Sequence, residues 1–277
     1  MYFRFLFSVS FLVLIFYQGR AAGELNLGGG RAFAMGMASV TLTDLWSVVN
    51  NQATNAWNKK ISAGVSIENR YLLKELSCEM IGLTIPLKYG NIGAVVSHKG
   101  TVKFSEIRAG ISFSRKFGQY FSAGVQFDYF RLQLAGEYGS RNLWSFEIGL
   151  FYKATRNLFI GVHIENPIPV KISEYPREYL PTIIRLGLSY SFSSSFLVVL
   201  EIEKDLKNKP IIKAGTEYRF VRIACARLGI ATNPTLFTFG FGLNFNRFSL
   251  DLASGYQSVL GFTPLLSLTY CFEKIKK

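Results

Sequence analysis

Two histidines, three cysteines and a scatter of charges of both signs are the residues of this sequence whose types could do chemistry. His98 follows Ser97 near the end of an alternating run, and no acid stands in an obvious place to orient its ring, so no nucleophile–base–acid triad is assembled. His163 shares a face with Glu165 two residues on, which reads as part of an ion-pair lining rather than a proton relay. Cys78, Cys225 and Cys271 are too far apart, with only two histidines, for zinc-site spacing, and their odd number makes no disulfide framework; they read as small apolar fillers. Gly28–Gly30 lacks the strand–GxGxxG–helix unit that a phosphate loop needs. No catalysis, metal or cofactor is expected.

What remains is the charge pattern. Arg108, Asp128, Glu147, His163, Arg185, Glu217 and Arg227 all fall on polar faces of alternating runs, together with Glu68, Arg70, Glu165, Glu201, Lys213, Arg219 and Asp251. An open anion-selective pore would favour one sign. Mixed signs among many glycines fit a lumen crossed by ion pairs and packed against something.

The elements that must carry these residues are strands. In Phe121–Tyr129, Phe121, Ala123, Val125, Phe127 and Tyr129 alternate with Ser122, Gly124, Gln126 and Asp128; Phe237–Phe245 repeats the pattern. Marking every such run predicts strands near 59–71, 77–87, 91–99, 102–115, 119–132, 143–155, 157–165, 181–192, 195–203, 210–219, 221–231, 234–245, 247–256 and 262–273. Most approach the 9–11 residues with which a tilted strand crosses a bilayer. Links after the even-numbered runs are tight. Most of those after the odd-numbered runs are longer, as in outer-membrane barrels with plain turns toward the periplasm and loops outside. An exported β-sandwich would also alternate, but 25 Phe, 14 Tyr and 3 Trp, with Tyr71, Tyr120, Tyr190 and Phe245 at strand ends, fit a lipid-facing band with aromatic girdles. Closure also removes the unpaired edges that hydrocarbon penalises. The expected fold is all-β: a closed antiparallel transmembrane barrel of about 14 strands, an up-and-down meander around an N-terminal plug.

Residues 1–22 carry Arg4, an apolar run from Phe5 to Phe16 and small residues at 21–23, the grammar of a cleaved signal peptide. Without its Arg4 and Arg20, the chain keeps 29 of its 31 Lys and Arg against 18 Asp and Glu. Such a basic exported chain can meet anionic head groups or acidic partners. No stretch clusters Lys/Arg with aromatics for nucleic acid. The expected division is 1–22 signal peptide, 23–58 hatch, 59–273 barrel and 274–277 charged periplasmic tail.

The hatch segment is flexible at GGGRAFAMGMASV and could form a short capped helix at DLWSVVN; the following Asn/Gln/Ala/Thr run suits neither helix nor strand. Phe33, Met35, Met37, Leu45, Trp46, Val48 and Val49 are too apolar to stay wet, so the segment should fold into the bore. GGGRAFAMGMASVTLTDLWSVVNNQATNAW resembles the hatch signature of the FadL superfamily of outer-membrane barrels, most closely its PorV/PorQ branch. Gly30-Arg31, Met35-Gly36, Ala38-Ser39-Val40 (a small-residue strand in that family), Asp44 and Asn51-Gln52-Ala53 occupy the family's places, with Gln52 for the usual Pro and Thr54 for the usual Gly. The final LLSLTYCF resembles the aromatic-ended signal that barrel-assembly machinery reads. The resemblance implies an integral outer-membrane protein among outer-membrane lipids. As its main function it implies an accessory component of type IX-like secretion, with secretion subunits or secreted cargo as partners. The alternatives are a FadL-like transporter of a small hydrophobic ligand, or a structural barrel. Arg31, Met35, Asp44, Trp46 and Asn51 are the hatch or gating candidates.

Overall fold

The computed structural model describes residues 28–101, 104–134, 139–173 and 178–272. The expected signal peptide and tail lie outside them. The strands are β1 (Ser62–Asn69), β2 (Ser77–Pro86), β3 (Asn91–Thr101), β4 (Phe104–Phe117), β5 (Phe121–Leu134), β6 (Ser140–Lys153), β7 (Leu158–Glu165), β8 (Lys171–Ser173), β9 (Glu178–Tyr179), β10 (Ile183–Ser191), β11 (Phe196–Asp205), β12 (Ile211–Val221), β13 (Ala224–Ala231), β14 (Leu236–Phe245), β15 (Phe248–Gln257) and β16 (Gly261–Cys271). All except β8 and β9 form one closed antiparallel barrel of 14 strands, each paired to its neighbour in sequence; β8 and β9 form a two-stranded sheet of their own. β1 closes the ring against β16, from Ser62↔Cys271 to Glu68↔Leu265. Each of the 14 expected runs therefore corresponds to one barrel strand.

The side chains are distributed inside out relative to a soluble fold. Phe241 is 57% exposed and Ile111 68%, while Arg185 and His163 are fully buried. The cause is the period-two geometry of a strand, which puts successive side chains on opposite faces of the wall. Phe121, Val125 and Phe127 point outward from β5, and Ser122, Gln126 and Asp128 point into the lumen. Exposed Tyr120, Tyr190 and Phe245 stand at or beside strand ends. Tyr71 does not join them. It sits in a 3-10 turn after β1, with its hydroxyl 2.9 Å from Gln257 Oε1 and its N–H donating to Thr263 Oγ1. Those bonds draw it over the mouth of the barrel.

The tight links 87–90, 118–120, 154–157, 192–195, 222–223 and 246–247 share one end with the start of β1 and the end of β16. The opposite end carries the longest links, 70–76 and above all 166–182, which contains β8 and β9, beside short ones at 232–235 and 258–260. Val170, Ile172 and Leu180 of that link pack on the inward-facing Phe130, Leu132 and Leu143, so it folds over part of the mouth.

Candidate functional site

Ahead of β1, residues 28–58 run through the lumen and are mostly buried. They contain three one-turn helices, α1 (Gly30–Ala34), α2 (Ser47–Asn50) and α3 (Gln52–Asn55). Three local expectations are corrected here. Asp44 is not the side-chain cap of α2: it makes an Asx-type turn, its Oδ1 accepting from Trp46 N at 2.9 Å, and the helix starts three residues later. The Asn/Gln/Ala/Thr run is helical, because Asn51 caps α3 by accepting from Ala53 N. Ala38-Ser39-Val40 is no strand: its backbone bonds to side chains of the arm and the wall instead of to a ladder.

The wall makes room for the arm by omitting side chains. Gly64, Gly93, Gly124, Gly161, Gly215, Gly229 and Gly240 face inward, and a Cβ at any of them would collide with the arm. At Gly124, for example, it would fall 2.6 Å from the Gln52 carbonyl carbon; at Gly240, 2.6 Å from Ala34 Cβ. The arm answers in kind at Gly36, whose φ of 68° is a backbone region that a side chain would strain. Its N–H donates to Thr238 Oγ1 at 2.8 Å. Apolar contacts fill the rest. Leu45, Trp46, Val48 and Val49 pack on Met80 and Val95; Ala32, Met35, Ala38 and Leu42 pack on Val199.

Charged groups pin the arm at three places. Arg31 donates to both oxygens of Glu217, at 2.8 and 3.0 Å, and lies 3.4 Å from Asp44. Glu217 Oε2 also accepts from Arg227 Nε at 2.7 Å, and Arg227 reaches Asp251 at 2.6 Å. Burial alone would lower the Arg31 guanidinium, but Glu217 and Asp44 hold it above its ordinary value; burial raises the Asp44 carboxyl, with Arg31 pulling the other way. On the neighbouring strand β11, Glu201 Oε2 accepts from the backbone N–H groups of Ser39 (2.7 Å) and Val40 (2.9 Å), while its other oxygen meets Lys213 at 2.9 Å.

The third place joins the remaining expected lumen charges. Glu147 accepts from Arg108, from His163 at 3.0 Å and from Gln52 of α3 at 2.5 Å. Arg108 also meets Asp128 at 2.8 Å. Arg185 reaches His163 Nδ1 (2.8 Å), Asn50 O (2.7 Å) and Ser39 Oγ (3.1 Å). Arg108, Asp128, Glu147, His163, Arg185, Glu217 and Arg227 thus lie in two networks that touch the arm. His163 pairs with Glu147 rather than with Glu165. Among the hatch candidates, Arg31 and Asp44 form ion pairs, Met35 and Trp46 are buried against the wall, and Asn51 Nδ2 donates to Val40 O at 2.7 Å.

His98 does have an acid beside it, Glu79 Oε2 at 3.0 Å, because the β2–β3 register sets the two opposite each other. Ser97 points to the other face of β3, into the lumen, so the three make no triad. Glu201, Gln52, Asn50 and the glycine row carry as much of the arm's seating as the charges singled out from sequence. One glycine on the polar face of strand after strand was the signal that could have located the seat.

At the long-link mouth the arm forms the floor of a cavity of about 100 Å³. Phe33 and Met37 lie below, with Ile211, Ala231 and Leu236 on the wall and Glu68, Arg70 and Lys213 among the polar lining.

No family model matches the chain, and no curated protein does. Solved structures match along nearly its whole length. The CymD monoaromatic hydrocarbon channel is similar at a TM-score of 0.69 and 14% identity, covering 92% of this chain and 100% of that one. The toluene transporter TodX of P. putida is similar at 0.68 and 15%, covering 91% and 100%. A Pseudomonas aeruginosa FadL homologue is similar at 0.69 and 12%, also covering 91% and 100%. At these identities the likeness is one of fold.

Proposed function

We propose that this chain is an integral outer-membrane barrel that passes small apolar molecules across the membrane under the control of its N-terminal arm. The observation that carries the reading is the cavity floored by Phe33 and Met37. An apolar floor made by the plug itself lets a molecule entering from the long-link mouth bear directly on the element that blocks its way. The fold shared with hydrocarbon and toluene transporters supports it. The arm supplies the gate: Arg31 and Asn51 hold it to the wall, Asp44 braces Arg31 from within the arm, and Met35 and Trp46 seal it, so passage requires those contacts to rearrange. The cavity's small volume suits a ligand of about benzene size rather than a long chain.

The test is initial uptake of labelled toluene by Gram-negative cells expressing the protein in place of their own transporters. Uptake several-fold above the empty-vector level is expected. Ala231→Trp, which fills the cavity from the wall, is expected to lower it toward that level. Uptake at background in cells with the protein correctly inserted rejects the reading. The hatch residues Gly30-Arg31, Met35-Gly36 and Asp44 favour a second reading, the PorV/PorQ-like secretion accessory, and secretion subunits or cargo eluting with the tagged protein in mild detergent would select it.

Membrane embedding has its own test. Phe241 projects outward from the middle of β14, where the arginine of Phe241→Arg would meet acyl chains at a cost of about 2–4 kcal/mol. Urea titration of the refolded barrel in vesicles is expected to show that loss, and an unchanged midpoint would mean that this face does not contact lipid.

A further inference from the structure

The positive charge of the chain is segregated along the barrel axis. Around the tight-link mouth, the stretches 56–62, 86–91, 115–122, 152–158, 191–196, 218–224 and 244–249 contain no Asp or Glu, but several Lys and Arg. The opposite mouth mixes Glu68, Glu75 and Asp205 with Arg70, Lys74 and Lys204.

Part of this charge converges on one aromatic ring. Trp57, at the end of the arm, donates its Nε1–H to Ser122 Oγ at 2.9 Å, which fixes the ring against the wall. Lys153 Nζ lies 3.5 Å from the centre of that ring and Lys116 Nζ 4.0 Å from it. Both side chains therefore point inward, under the arm, and not toward the lipid around the barrel. Lys59 follows two residues after Trp57 and shares with Lys88, Arg115 and Lys116 the lining of an open cavity of about 630 Å³ that contains no carboxylate. The adjoining cavity of about 470 Å³ does contain Asp44, Glu217 and Asp251, but Arg31 and Arg227 already engage those three. Among the described residues, Lys59, Lys116 and Lys153 have no ion-pair partner.

We propose that Lys59, Lys116 and Lys153 form, around Trp57, a site for an oxyanion (a carboxylate or a phosphate) at the tight-link mouth beneath the arm. Like charges held together within a Debye length repel, and only the faces of one ring offset that here. An oxyanion reverses the repulsion, and ammonium groups bind it as point charges without a fixed fork. The anion is supplied either by a small soluble molecule or by the side chains of an acidic polypeptide at the mouth. The inference does not depend on the transport reading.

Trp57 reports on the site. The full chain, in uncharged detergent at constant ionic strength balanced with chloride, is titrated with inorganic phosphate and separately with a pentaglutamate peptide while tryptophan fluorescence is followed. At least one probe is expected to give a saturable change with a midpoint below about 10 mM. Lys116→Gln/Lys153→Gln is expected to weaken it about tenfold or more, and Lys204→Gln/Lys207→Gln at the other mouth is expected to leave it unchanged. Trp57→Phe should remove the optical signal but not the binding heat. Tighter binding of the peptide identifies a polypeptide as the source, and binding of phosphate alone identifies a small anion. No saturable change and no binding heat with either probe on the unmodified chain overturns the proposal, as does wild-type affinity in a correctly folded double variant or in Lys59→Gln.

Discussion

Glu217→Ala is expected to cost about 3–5 kcal/mol of folding stability and to loosen the arm from the wall. Glu217 is the shared acceptor of two guanidinium groups, Arg31 at 2.8 and 3.0 Å and Arg227 at 2.7 Å, in a buried part of the lumen. Removing it leaves two cations facing each other with Asp44 and Asp251 as the remaining counter-charges; Arg31 then pairs with Asp44 at 3.4 Å, itself an arm residue, so the ion pair that tied this part of the arm to the wall is gone. The penalty comes from stranding buried charge, not from losing a favourable bond. Arg31→Met added to Glu217→Ala should therefore restore part of the loss, giving a coupling between the two substitutions of about 0.5–3 kcal/mol. Urea unfolding of the full chain in uncharged detergent, followed by circular dichroism, measures both effects. A single-variant loss below about 1 kcal/mol, or strictly additive losses, would mean that water already screens this cluster.

The barrel was legible in the sequence because each strand lies between two unlike surroundings, the outside and the packed lumen. Phe237, Phe239 and Phe241 meet one, and Thr238, Gly240 and Gly242 the other, so the alternation is clean and its parity fixes which face is inside. The count of 14 followed from it, and the parity of link lengths fixed which ends share a side. The charges of the lumen were legible for the same reason. Their partners were not, since pairing depends on register: His98 meets Glu79 only because β2 and β3 align Cys78 with Lys99, and His163 meets Glu147 instead of its sequence neighbour Glu165.

The arm was legible as a plug by its apolar content, but not in its local conformation. A four-residue helix has no stability of its own. α3 exists because Gln52 reaches Glu147 and Asn55 is held by Thr84 and Asn91, each at 2.5 Å, and those partners are wall residues remote in sequence. Read locally, Gln52-Ala53-Thr54-Asn55 has nothing to satisfy its side chains and so resembles a loop. The secretion-accessory expectation rested on the arm's motif alone. At 14 and 15% identity, the likeness to a hydrocarbon channel and a toluene transporter is one of fold, and it does not show the secretion branch.

Deleting residues 28–58 carries the other large expected effect. The arm contributes Phe33, Met35, Leu45, Trp46, Val48 and Val49 to the lumen, and the wall opposite is cut back to glycine to admit it. Without it, the bore of a 14-strand barrel is wider than its own wall side chains can fill. The strands pair only with one another, so the ring itself does not need the arm to close. Lumen charges of both signs would then line an aqueous path with little preference for cations or anions.

The direct measurement is ionic conductance across a planar bilayer, intact chain against the chain lacking 28–58, each first shown to be inserted as a folded barrel. A lipid-facing barrel stoppered by its own N-terminal arm predicts a silent intact protein and a steady, weakly selective conductance after the deletion. Equal conductance from the two, whether both silent or both open, would contradict it.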